Sequence, residues 1–168
     1  MSVVRQEEID NVRKNLEAMP ITAKALGQEW ITAHILNIEE RVKKHELFWL
    51  LWYNAKSIKL ESWLTILKAS LPDTKFTRII NSLKEKSEEN EFNSLLPEIE
   101  VLAYYATKKD KGVSVEYEPN IPKKNNVGDI KLSFGGNEVY LEITRLFSSK
   151  KEKRIDDMLH LLARALNR

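Results

Sequence analysis

The side chains of this sequence with the clearest capacity for chemistry are two carboxylates, Asp129 and Glu142, near the outer ends of two short alternating segments. Asp129-Ile130-Lys131-Leu132-Ser133-Phe134 and Glu138-Val139-Tyr140-Leu141-Glu142-Ile143 each alternate polar and apolar residues, the period of a strand with one buried face. Gly135-Gly136 between them suits a two-residue hairpin turn, because both residues accept positive φ. A turn there makes Phe134 face Asn137 and carries the register outward to Lys131 opposite Tyr140 and Asp129 opposite Glu142. Ile130, Leu132, Phe134, Val139, Leu141 and Ile143 then share a core face, while Asp129, Lys131, Ser133, Tyr140, Glu142 and Thr144 share the other. Like charges directly opposed across a ladder destabilise it by roughly 0.2–1 kcal/mol unless something compensates. A hard divalent cation compensates, and Mg²⁺ or Mn²⁺ between carboxylates polarises phosphate oxygens, which is phosphodiester chemistry. The other reading of the same pair is an open, solvated sheet face on which two acids repel weakly.

The elements that must position this pair lie just upstream. Residues 95–108 read as a helix in which Pro97-Glu98-Ile99-Glu100 sets acids beside the apolar stripe of Leu95, Ile99, Leu102 and Ala106. Val113-Ser114-Val115-Glu116-Tyr117 alternates like a strand, and 119–128 is a turn-rich loop. Residues 151–166 place Ile155, Leu159, Leu162 and Leu166 on one helical stripe. The order is helix with Glu, strand, loop, Gly128-Asp129 strand, glycine turn, then Val139-Tyr140-Leu141-Glu142-Ile143-Thr144-Arg145. This order resembles the PD-(D/E)xK nuclease superfamily, with its restriction-endonuclease-like fold, over about residues 95–166.

That resemblance implies a metal-dependent nuclease in which Asp129, Glu142 and the backbone carbonyl of Ile143 bind Mg²⁺ or Mn²⁺. It also implies a helix glutamate in the site: Glu98, favoured by the Glu-Ile-Glu-Val pattern, or Glu100, favoured by its shorter spacing to Gly112. The sequence departs from the family at Gly128, where a proline is usual, and at Thr144, where the family has the lysine that positions the attacking water. Lys131, on the same strand face as Asp129, is the candidate replacement, with Thr144 as an alternative; Arg145 points to the opposite face. The family's fourth strand has no counterpart before Arg168, so the expected core is αβββα.

Residues 1–90 read as an all-helical region, which makes the whole chain α+β: 1–90 helical, 91–168 the nuclease-like core. Within it, 4–19, 22–55 with a break near His45, 60–70 and a helix capped by Asp73 after Pro72 are expected. The charged run from Lys84 to Glu91 is the expected linker. Trp30, Trp49, Trp52 and Trp63 sit at helical spacing and read as packing residues, with base stacking as the functional alternative. His34, His45 and His160 lack partners at metal-ligand spacing. Lys123-Lys124 and the basic run 148–154 suit a phosphate-contact rim or a solvated surface.

Composition narrows the field. The 168 residues carry 27 Lys plus Arg against 25 Asp plus Glu, so nucleic-acid binding must rest on local features rather than on a global field. Absence of cysteine excludes a disulfide scaffold, a thiol nucleophile and a thiolate zinc site. The most apolar run, from Leu47 to Tyr53, is far shorter than the roughly 20 residues that span a bilayer. No membrane association and a cytoplasmic location are therefore expected. The partner would be nucleic acid, DNA ahead of RNA, with a homodimer or a partner protein engaged through the helical region. The rival function is a catalytically inactive nuclease-like fold serving as a protein or nucleic-acid binding module.

Overall fold

The computed structural model describes residues 6–37, 45–87, 89–120 and 128–143. The described chain is α+β: seven α-helices followed by a small antiparallel sheet. The helices are α1 Gln6–Glu17, α2 Pro20–Leu26, α3 Gln28–Trp30, α4 Glu46–Trp52, α5 Asn54–Ser70, α6 Asp73–Glu85 and α7 Glu89–Ala106. The strands are β1 Ser114–Tyr117, β2 Ile130–Phe134 and β3 Asn137–Leu141, paired in the order β1-β2-β3. None of the described helices is long and apolar enough to cross a membrane.

Helix positions follow from apolar spacing. α1 buries Ile9, Val12 and Leu16 on one stripe, and α6 buries Phe76, Ile79, Ile80 and Leu83. α7 buries Phe92, Leu95, Ile99, Leu102, Ala103 and Ala106. Polar groups inside this packing are satisfied: the Asn15 amide on α1 donates to the Leu51 carbonyl at 2.7 Å. Glu61 of α5 accepts from the backbone N–H groups of Ile21 and Thr22, both at 2.9 Å, and from the Thr22 hydroxyl at 2.6 Å. It thereby caps the start of α2, where Met19 supplies no side-chain cap.

Several boundaries differ from the sequence expectation. The long helical stretch of 22–55 breaks at Gly27, whose φ of +81° ends α2. It continues through α3 into a π-helical turn, Ile31–Ile35. A further break at Tyr53, extended at φ −83° and ψ 107°, separates α4 from an α5 that starts at Asn54 rather than near residue 60. Asp73 does not cap α6: Pro72 occupies the cap position without a side-chain bond, and Asp73 pairs instead with Lys68. The charged run is mostly helical, since α6 ends at Glu85 and α7 begins at Glu89. Exposed Lys and Glu are good helix formers, so polarity alone does not mark a linker. α7 also starts earlier than expected, leaving Pro97 inside the helix, where it can donate no backbone hydrogen bond.

The hairpin has the expected register. Ile130 pairs with Leu141, Lys131 with Tyr140, Leu132 with Val139 and Phe134 with Asn137. Gly135 and Gly136 take φ of +54° and +80°, as a two-residue turn requires. β1 joins β2 with Glu116 opposite Lys131 and Tyr117 opposite Ile130. One apolar cluster runs through the described residues, from Ile9 on α1 through α4 to α7 and on to Tyr117, Ile130 and Leu132 of the sheet. The four tryptophans are half-buried against it rather than fully enclosed.

Candidate functional site

Asp129 stands immediately before β2, just beyond the β1–β2 ladder, its carbonyl accepting from Glu118 N–H at 2.9 Å. Its side chain does something the alternation pattern does not reveal: Oδ2 accepts from the backbone N–H of Ile143 at 2.6 Å. The carboxylate thus closes the open end of the hairpin and is fixed by a charge-assisted bond. Glu142 follows β3 by one residue and is exposed. Asp129 and Glu142 therefore flank the last pair of the ladder, Ile130 with Leu141.

The two helix glutamates part company. Glu98 on α7 is half-buried, and its pKa is pushed up to about 7, first by burial and then by the negative charge of Asp129. Glu118 adds to the rise and Lys86 opposes it. Glu100, two residues on, is exposed and lines a separate cleft with residues of α4 and α5. A two-residue step turns the α-helix by about 200°, so one glutamate meets the sheet end and the other meets the helical bundle.

Lys131 is engaged on its strand face. Its Nζ lies 3.0 Å from Glu116 Oε2 and 3.4 Å from Glu138 Oε1, and these partners raise its pKa, Glu116 most. Tyr140, across the ladder, donates its phenolic proton to Glu138 at 3.2 Å. The row Glu116, Lys131, Tyr140, with Glu138 beside it, is a compact polar network distinct from the Glu98 and Asp129 pair. Thr144, Arg145, Lys123, Lys124, His160 and the helix expected at 151–166 lie outside the described residues.

Residues not anticipated from the sequence complete the surroundings of Asp129. Glu118 follows β1 with φ +47°, a left-handed conformation that disfavours side chains with a Cβ. It is pinned from α6: Lys75 Nζ donates to the carbonyls of Tyr117 at 2.6 Å and Glu118 at 3.0 Å, while Arg78 pairs with the Glu118 carboxylate at 3.2 Å. Tyr117 is buried, and burial foremost, then Glu118 and Glu98, push its phenol well above the ordinary tyrosine value, so it stays protonated. A glutamate followed by Pro119 was the available signal for a strand-ending turn, but nothing local indicated that α6 would supply its cations.

Among the described residues, no group of three or more His, Asp or Glu side chains that could hold a metal ion is present. What exists is Glu98, raised chiefly by burial and next by the negative charge of Asp129, on the helix that packs against β1 and β2. These two carboxylates fit a hard ion that retains waters and takes one or two carboxylates together with substrate phosphates. No family model, curated protein or solved structure matches this chain.

Proposed function

We propose that the chain is a metal-dependent nuclease that hydrolyses phosphodiester bonds, in DNA ahead of RNA, by way of the Glu98 and Asp129 carboxylates. The observation that carries this reading is the end of the hairpin: Asp129, fixed by the Ile143 N–H at 2.6 Å, and Glu142 flank the last ladder pair, while half-buried Glu98, on the helix that packs against β1 and β2, feels the Asp129 charge. The helix, strand, strand, strand order of α7, β1, β2 and β3 supports it as well. Asp129, Glu98 and the Ile143 carbonyl would hold Mg²⁺ or Mn²⁺, with Glu142 as a further carboxylate at the same strand ends. The chemistry such an ion supplies is polarisation of the scissile phosphate and a lowered pKa for a coordinated water. Glu98 would be held ionised by the bound cation, and the Ile143 N–H keeps Asp129 in place.

The test is cleavage of single-stranded, duplex and branched DNA and of RNA by the purified chain with Mg²⁺ or Mn²⁺, beside Mn²⁺ titration by calorimetry. Asp129→Ala and Glu98→Ala are expected to abolish cutting and weaken Mn²⁺ binding at least tenfold, and Thr144→Lys to raise the rate. Failure of the unmodified chain to bind Mn²⁺ or cut any of these substrates, with no gain from Thr144→Lys, removes this reading. The second reading, a silent nuclease-like fold that acts as a binding module, draws on one observation. Lys131, the candidate stand-in for the family's lysine, is bound to Glu116 and Glu138.

A further inference from the structure

A cleft of about 340 Å³ opens where α4, α5 and α7 meet, a volume at the lower end of ligand sites. Its walls combine three chemistries. Trp49, Tyr53 and Trp63 supply aromatic surface, Lys56 and Lys59 supply cations, and Glu46 and Glu100 supply carboxylate acceptors. We infer that this cleft binds a nucleotide unit, free or within a single strand. The base would lie against Trp49 and Trp63, and the phosphates would lie on Lys56 and Lys59.

The aromatic wall is pre-set. Trp49 is held edge-on by Phe48 at 5.1 Å and by Trp52 at 6.0 Å, so little ordering is needed when a base stacks there. Tyr53 is half exposed, and its ring carries Lys56 Nζ at 5.1 Å from the centroid. Lys56, Lys59 and Trp63 follow one another at three- and four-residue steps along α5, so they share one helix face and present cation, cation and ring in a row. Both lysines are exposed, which leaves their ammonium groups accessible to phosphate. The Glu46 and Glu100 carboxylates offset the lysines, so stacking carries a large share of the affinity and the salt dependence is shallow. Two phosphate contacts on a single strand give a slope of about −1.4 in log K against log salt. The cleft is separate from the Glu98 and Asp129 pair and uses no metal.

The experiment is a titration of the full chain with (dT)8 and with thymidine monophosphate in EDTA, followed by tryptophan fluorescence. Saturable quenching with that shallow slope is expected. The double charge reversal Lys56→Glu, Lys59→Glu alters only exposed side chains and is expected to weaken binding at least tenfold, with Trp63→Phe weakening it less. Asp129→Ala is expected to bind as the unmodified chain does, so loss of nuclease activity and loss of this site are read separately. Tighter binding of (dT)8 than of the monophosphate identifies a strand as the occupant, and equal binding identifies a free nucleotide; both support the assignment. Absence of saturable quenching by either ligand, or a charge-reversed variant that binds as tightly as the unmodified chain, overturns it.

Discussion

At the scale of single residues, the environment of Glu98 moves its titration into the neutral range. Its folded-state pKa of about 7 lies above the ordinary glutamate value of 4.5. Between those values the folded protein keeps a proton that the unfolded chain has released, so the Glu98 contribution to stability is full below about pH 4.5 and is lost as pH rises toward about 7. Glu98→Gln removes the repulsion with Asp129 and the titration together. We expect the variant to be more stable than the unmodified chain at about pH 8, on the order of 1 kcal/mol after allowance for solvent screening of a half-buried group. We expect the two to converge near pH 4.5. Urea unfolding at both pH values checks this, and an identical pH profile for the two proteins would show that Glu98 does not titrate in that window.

At the scale of elements, His45 ties two helices together. Its Nδ1 accepts from the Leu47 N–H at the start of α4, and its Nε2 lies 3.0 Å from the Lys84 carbonyl in the last turn of α6. Because a carbonyl only accepts, Nε2 carries the proton and the ring is neutral. Burial lowers its pKa below the ordinary 6.5, the Lys84 bond opposes that, and His34 adds to it. Protonation would convert Nδ1 from acceptor to donor and release the cap. The stability from this bond is therefore present above pH 6.5 and lost as pH falls through the lowered folded-state value. His45→Ala is expected to cost about 1–2 kcal/mol at neutral pH, combining the lost cap with lost contact to Trp30 and Phe92. His45→Asn, which caps without titrating in this range, should retain part of the cap energy and flatten the acid limb of a thermal-melting profile. An unchanged acid limb in His45→Asn would exclude the histidine as its cause.

At the scale of the whole molecule, α7 connects the helical region to the sheet. It packs on α4, α5 and α6 as well as on β1 and β2, with Phe92, Leu95 and Ile99 inside the common apolar cluster. Lys75 and Arg78 of α6 reach across to the end of β1 and fix the strained Glu118 beside Asp129. A fragment of residues 91–168 would expose the α7 face that meets α4 and α5 and would lack those cations. It is expected to show poor amide dispersion in NMR, whereas the full chain shows a dispersed spectrum. A well-dispersed fragment spectrum would mean that the sheet and α7 fold without the helical region.

The alternation of 129–134 and 138–143 around Gly135-Gly136 determined the hairpin and its register, because a period of two and a two-residue turn leave a single consistent pairing. The α+β class and the burial of the Leu95, Ile99, Leu102 and Ala106 stripe were likewise legible, since apolar spacing is a local property of the chain. The choice between Glu98 and Glu100 was not settled there, because both follow the same pattern and only the packing of α7 between bundle and sheet gives them different neighbours. Nor could the sequence pair Lys131 with Glu116, bring Asp129 onto the Ile143 N–H, or bring Lys75 and Arg78 to Glu118. Those contacts join side chains to groups that meet only in the folded chain, where burial and charge act over distances in space that sequence separation does not encode.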